Sequence, residues 1–187
     1  AGRLLRYALE RGVNMIDTAA LYETFGHIRQ ALKGYHGSCY LASKTHATDV
    51  ATARRHVEQA LHELGVERLD VVLVHAARVA DPFIERAAII NLLLEMRHEG
   101  KIGHVGISTH YIQAVRQVAL HPEIAVVHPL INRQGMGILD GSPREMAEAV
   151  AEVAAAGKGV YAMKALAGGN LIAQARESLR FVRDLPG

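Results

Sequence analysis

The chain has 187 residues, half of them apolar, which suits one globular domain of ordinary size, since domains run roughly 50–250 residues. Lys and Arg number 21 against 19 Asp and Glu, a net charge of +2 that marks no nucleic-acid or membrane-surface partner. A single cysteine, Cys39, leaves no intrachain disulfide and no multi-cysteine metal cluster, and fits a reducing, cytoplasmic compartment. No apolar run approaches the roughly 20 residues of a membrane span, and residues 1–12 read as an amphipathic helix rather than a signal peptide.

In chain order, "RLLRYALERG" places Leu4, Leu5, Ala8 and Leu9 on one helix face, with Gly12 to end it. "VNMID" is a short strand. "TFGHIRQALKG" carries Phe25, Ile28, Ala31 and Leu32 at helical spacing, and "CYLASK" is the next strand. Residues 49–64 predict a helix with Thr48 or Asp49 as N-cap and Gly65 beyond its end. "LDVVLVH" is apolar on both faces, as a strand covered on both sides requires. A helix is expected over 82–98, a strand at "HVGIS", a helix over 111–119 and a strand at "AVVHPLI". "SPREMAEAVAEVAAAG" opens with Ser142, Pro143 and Glu145, the pattern of a capping box with proline in the first turn. "GVYAMKAL" is the sixth expected strand, and a last amphipathic helix covers 173–184.

Strict β/α alternation implies a parallel sheet. An open doubly wound sheet and a (β/α)8 TIM barrel both satisfy it. A barrel needs eight strands and about 250 residues. Six strands and a leading helix therefore read as an incomplete (β/α)8 barrel lacking its first and eighth strands. Residues 1–187 form a single partial barrel domain in this reading, with no linker or low-complexity tract.

In parallel α/β folds, chemistry gathers beyond the carboxyl ends of the strands. Those ends carry Asp17 with Tyr22 just after it, Ser43 to His46, His75, Ser108 to His110, His128 with Asn132, and Met163 with Lys164. Taken singly, each has an ordinary explanation: Asp17 as a helix cap, Tyr22 as packing, Lys44 as a snorkelling cation, His75 as a core histidine. Together on consecutive strands they suit proton transfer to a carbonyl oxygen. A tyrosine has a pKa of about 10, and a neighbouring ammonium is expected to lower it. Asp17 would hold Lys44 charged, Tyr22 would act as general acid, and His75 would orient the oxygen. A cofactor must then supply electrons. His27, His36, His56, His62, His98, His104 and His121 lie on helices, in loops or at strand starts and read as solvated or structural.

"DTAALY", "LASKT" and "LDVVLVH" resemble, in order and context, the aldo-keto reductase segments that bear the family's Asp and Tyr, its Lys and its His. "HVGIST" and "GKGVYAMKALAGGNL" resemble the family's fifth and seventh strands. The resemblance implies an NAD(P)H-dependent oxidoreductase that reduces aldehydes or ketones, with NADPH more usual than NADH and no metal. By position, Tyr22 becomes the proton donor, Lys44 and Asp17 its tuning pair, and His75 the carbonyl-orienting group. Asp17 also falls near the nicotinamide ribose and Ser108 at the carboxamide contact. Thr109 stands where the family has Asn, His128 where glutamine is common, and Met163 where many members stack a tyrosine. Lys164, Ala165 and Leu166 replace Ser-Pro-Leu, with Gly168 following in the same cofactor-binding segment. Glu23 replaces the usual Gly after the tyrosine. The partner implied is a small carbonyl compound; the specific substrate, the choice between NADPH and NADH, and the oligomeric state are not encoded in these motifs.

Three other readings compete. A metal-dependent barrel hydrolase could use His46, His75, His110 and His128, although the His-x-His pair of such enzymes is missing. A Schiff-base aldolase could use Lys44 or Lys164. A non-catalytic descendant could bind nicotinamide without turnover.

Overall fold

The computed structural model describes residues 1–185. The strands are β1 (Met15–Asp17), β2 (Tyr40–Thr45), β3 (Leu69–Ala76), β4 (Ile102–Thr109), β5 (Val126–Pro129) and β6 (Gly159–Val160). The helices are α1 (Gly2–Glu10), α2 (Phe25–Leu32), α3 (Val50–Leu64), α4 (Pro82–Glu85), α5 (Ala87–His98), α6 (Ile112–Leu120), α7 (Pro143–Ala155) and α8 (Ala175–Arg183). The sheet order is β1-β2-β3-β4-β5-β6, so each strand follows its chain neighbour, as in consecutive βα units of a (β/α)8 barrel. The chain divides into two compact units: Ala1–Val74 with Ala88–Val105, and His75–Ala87 with the chain from Gly106 onward.

In the first unit, β1 and β2 pair in parallel with Asp17 opposite Ala42, and β2 and β3 with Lys44 opposite Leu73. α3 forms because Asp49 accepts from the Thr52 N–H at 2.8 Å, its apolar stripe buries Ala53, Val57, Ala60 and Leu64, and Gly65 ends it at φ +73°. Phe25, Ile28 and Ala31 bury the matching face of α2. α1 departs from its expected face: Gly2 and Leu9 are buried and Leu4 is 72% exposed. The contact with α2 selects this face, since a Cβ on Gly2 would lie 2.9 Å from the Gln30 side chain. α1 ends as expected: Arg11 is its C-cap, and Gly12, at φ +94°, donates its N–H to the Leu9 carbonyl at 3.1 Å.

In the second unit, β4 pairs with β5 in register Ser108 to His128, and β5 with β6. The capping box of α7 is present: Ser142 Oγ accepts from the Glu145 N–H, and Glu145 Oε2 accepts from the Ser142 N–H at 2.8 Å. α7 packs on α6, burying Met146, Val150 and Val153 with Val115 and Val118. β5 and β6 are shorter than expected. Pro129 ends β5 because it has no N–H for the ladder, although its carbonyl still accepts from Met163 at 2.9 Å. Lys164 then turns left-handed at φ +58° and breaks the extended run. Asn132 therefore lies beyond the strand, where its amide brackets the Met136 backbone. The helix expected over 82–98 is divided at Arg86 (φ −127°): Asp81 and Pro82 start α4 independently, and α5 begins at Ala87.

Candidate active site

Asp17 and Lys44 meet for a reason visible in the register. Asp17 pairs with Ala42, and Lys44 is two residues further along β2, so both side chains leave the same face. Lys44 Nζ donates to Asp17 Oδ2 and, at 2.8 Å, to the Thr18 carbonyl. The Lys44 side chain is 1% exposed and that of Asp17 is 30% exposed. Burial lowers the Lys44 pKa, and the hydrogen bond and charge of Asp17 oppose that fall. The cap reading of Asp17 fails: the turn that follows starts at Ala19 and has no side-chain cap bond.

Tyr22 closes a short 3-10 turn, Ala20–Tyr22, stapled by the Tyr22 N–H donating to the Ala19 carbonyl at 2.9 Å. A 2.6 Å hydrogen bond between the Thr18 and Thr24 hydroxyls spans the loop. The Lys44 ammonium lies 5.3 Å from the centroid of the Tyr22 ring. The expected direction of the phenol's shift is reversed. Burial first, and the Asp17 carboxylate second, push the Tyr22 pKa above its ordinary value. Burial disfavours the phenolate most, and Asp17, which holds the lysine, adds to this by repelling it. Glu23 sits at φ +54°, ψ +32°, a left-handed conformation in which a Cβ is strained.

The second unit holds the remaining candidates. His75 lies near the end of β3. Ser108 is fully buried at the end of β4, and its Oγ has no hydrogen-bond partner among the described residues. Such an orphan is costly unless a ligand group meets it. Thr109 Oγ1 instead accepts from the Tyr111 N–H at 3.0 Å. His128 Nδ1 donates to the Tyr161 carbonyl at 2.6 Å, and the two rings stack with centroids 4.0 Å apart. Met163 bridges to Leu130 through the backbone. The Leu166 carbonyl accepts from Gly169 and Leu171, and Gly168 turns at φ +65°.

Lys164 Nζ is 3.2 Å from His110 Nε2. Burial, followed by the charges of Lys164, His75, Arg78 and His128, pushes the His110 pKa down to about 4. The imidazole is therefore neutral near pH 7, and its Nε2 accepts from the ammonium. Arg78 went unnoticed in the sequence. It lies three residues after His75, in a turn closed by the Val79 N–H on the Ala76 carbonyl, and only its position after a strand-end histidine hinted at a role.

The strand-end histidines do not build a metal centre. His46 and His56 face each other with ring centroids 4.7 Å apart, and His56 Nδ1 lies 2.9 Å from Thr45 Oγ1. Among the described residues, no three His, Cys, Asp or Glu side chains converge in a metal-holding group. Lys44 is engaged with a carboxylate and a carbonyl, which leaves it poorly placed to form a Schiff base. No helix among the described residues is long and apolar enough to cross a membrane.

The aldo/keto reductase family model matches residues 1–185. Methylglyoxal reductase DkgA of Yersinia pestis is 23% identical over 164 residues, covering 82% of this chain and 58% of that protein. The chain spans little more than half the length of the curated relatives it matches. A candidate aldo-keto reductase from Pseudomonas aeruginosa superposes with a TM-score of 0.80 at 26% identity, covering 98% of this chain and 72% of that one. The aldo-keto reductase of Bombyx mori solved in complex with NADP shares the fold, with a TM-score of 0.69 at 16% identity, covering 88% of this chain and 56% of that one.

Proposed function

We propose a function from one premise: the chain belongs to the aldo/keto reductase family. The protein is an NAD(P)H-dependent carbonyl oxidoreductase that reduces aldehydes or ketones to alcohols. The observation that carries this reading is the buried Lys44–Asp17 pair beside the Tyr22 ring. The raised pKa keeps the phenol protonated near pH 7, so it has a proton to give. As that proton moves to the carbonyl oxygen, negative charge develops on Tyr22 Oη, and the Lys44 ammonium stabilises it. Asp17 keeps that ammonium charged against burial. Thr18 and Thr24 hold the loop that aims Tyr22. His75 orients the carbonyl.

NADPH, with NADH as the alternative, supplies the hydride when bound. Ser108 fits this role: a buried hydroxyl without a partner suits a carboxamide. Asp17, Thr109, His128, Met163, Lys164, Leu166 and Gly168 complete the proposed nicotinamide and phosphate contacts by their family positions. The Thr109 hydroxyl and His128 Nδ1 are already engaged, so their contacts would come from other atoms. The names of the relatives, a methylglyoxal reductase and an NADP complex, support small carbonyl substrates and a nicotinamide cofactor. A cytoplasmic setting accords with the single cysteine. The test is oxidation of NADPH and NADH by the full-length protein against a panel of aldehydes and ketones. Turnover with several members is expected; no turnover with any would refute the assignment.

A further inference from the structure

Glu23 directly follows the proposed proton donor and holds a strained backbone. At φ +54°, ψ +32° it is left-handed, a conformation that glycine takes freely and glutamate does not. Among the described residues of the first unit, the other left-handed positions, Gly12, Gly34, Gly65 and Gly100, are all glycine. The loop enforces the exception from both sides. The Tyr22 N–H is held by the Ala19 carbonyl, the Thr18 and Thr24 hydroxyls bond across the loop, and buried Phe25 anchors the start of α2. Backbone strain that persists in this way gathers at functional sites.

Nothing in the fold uses the Glu23 side chain. It is exposed and makes no hydrogen bond or ion pair among the described residues. Nor does its charge act on the reacting phenol, since burial and Asp17 account for the raised Tyr22 pKa. What Glu23 adds beside Tyr22 is a negative charge facing water. Within residues 18–24 it is the sole ionised side chain, and the nearby Asp17 is already paired with buried Lys44. Leu21 and Tyr22, immediately before it, expose an apolar side chain and an aromatic ring. A short carbon chain ending in a cation suits that combination: the apolar groups take the chain, and the carboxylate attracts the charge.

We propose that Glu23 sets substrate preference at this site, favouring aldehydes or ketones that carry a cationic group a few carbons from the carbonyl. The reducible substrate rests on the carbonyl-reduction reading; the attraction of Glu23 for a cation does not.

The full-length protein would be assayed with 4-(trimethylammonio)butanal and with its uncharged isostere 5,5-dimethylhexanal. A unit charge about 6 Å from its partner in water is worth about three-fold in affinity, so Glu23→Gln should lower the cationic-to-neutral kcat/KM ratio by about three-fold or more. The loss should lie in KM for the cationic aldehyde, with kcat for the neutral one unchanged, and Glu23→Asp should keep part of the preference. At an ionic strength of about 1 M, where the screening length is about 3 Å, wild type and Glu23→Gln should converge. A separate arm follows the Leu21 methyl signals by NMR while 4-(trimethylammonio)butanamide, an amide that a nicotinamide hydride does not reduce, is added to wild type and Glu23→Gln. Glu23-dependent binding of this amide without reduction of any carbonyl would uphold the cation preference and sink the reductase reading. Reduction of both aldehydes with the same ratio in wild type and Glu23→Gln would overturn the proposal and leave the reductase reading standing. So would an equal loss of kcat for both aldehydes in Glu23→Gln, because the residue would then serve the Tyr22 loop rather than the substrate's charge.

Discussion

Lys44→Met separates catalysis from stability. The Lys44 ammonium lies 5.3 Å from the Tyr22 ring centroid, and the variant removes it while leaving Asp17 in place. At an effective dielectric of about 20, a unit charge at that distance is worth ~3 kcal/mol, and roughly half of that acts when the proton is half transferred. Because Tyr22 is 45% exposed, solvent screens the interaction and the lower part of the range is favoured. The expected loss is therefore ~1.5–3 kcal/mol of transition-state stabilisation, or about 10–150-fold in kcat, with KM for the carbonyl little changed. Stability should move the other way or stay still. The folded pKa of Lys44 is depressed, so the unfolded chain holds this proton more tightly, and at neutral pH the buried charge opposes folding. Methionine removes that cost, and Asp17, 30% exposed, can hydrate. Steady-state NADPH oxidation and a thermal melt of the full-length variant check both halves. A kcat within two-fold of wild type would refute the electrostatic role of Lys44. A collapse of the melting temperature would show that the pair is structural instead.

Tyr22→Phe should abolish most carbonyl reduction while NADPH binding, followed by fluorescence, persists; turnover equal to wild type would remove Tyr22 from the mechanism. Glu23→Gly relieves a left-handed backbone at φ +54° and should stabilise the fold by about 0.5–1 kcal/mol, net of the entropy glycine adds to the unfolded chain. A lower denaturant midpoint would mean that contacts of the Glu23 side chain outweigh the strain. The His110 ring should titrate near pH 4 by NMR, and Lys164→Met should raise that value. Its folded pKa lies below the unfolded value near 6.5, so the unfolded state binds the extra proton first. This residue's contribution to stability is accordingly intact above about pH 6.5 and lost as pH falls toward 4. A wild-type midpoint near 6.5 would contradict the crowding of charges around the ring.

Much of this protein is legible locally. Asp49 and Gly65 bound α3, and Ser142, Pro143 and Glu145 start α7, because caps satisfy backbone groups within a few residues of themselves. The β/α alternation, and the placement of Asp17, Lys44 and His75 at or near strand ends, follow from hydrophobic period alone. Tertiary structure decided what depends on partners remote in sequence. The exposed Leu4 reflects the close approach of α1 to Gln30, and the short β6 follows from Pro129 having no donor for its neighbour. The direction of the Tyr22 shift turned on burial and on Asp17 facing the phenol as well as the lysine, neither of which spacing reveals. His110 and Lys164 meet although 54 positions separate them. Electrostatics acts through space, so charges far apart in the chain meet only once the fold has brought their strands and turns together.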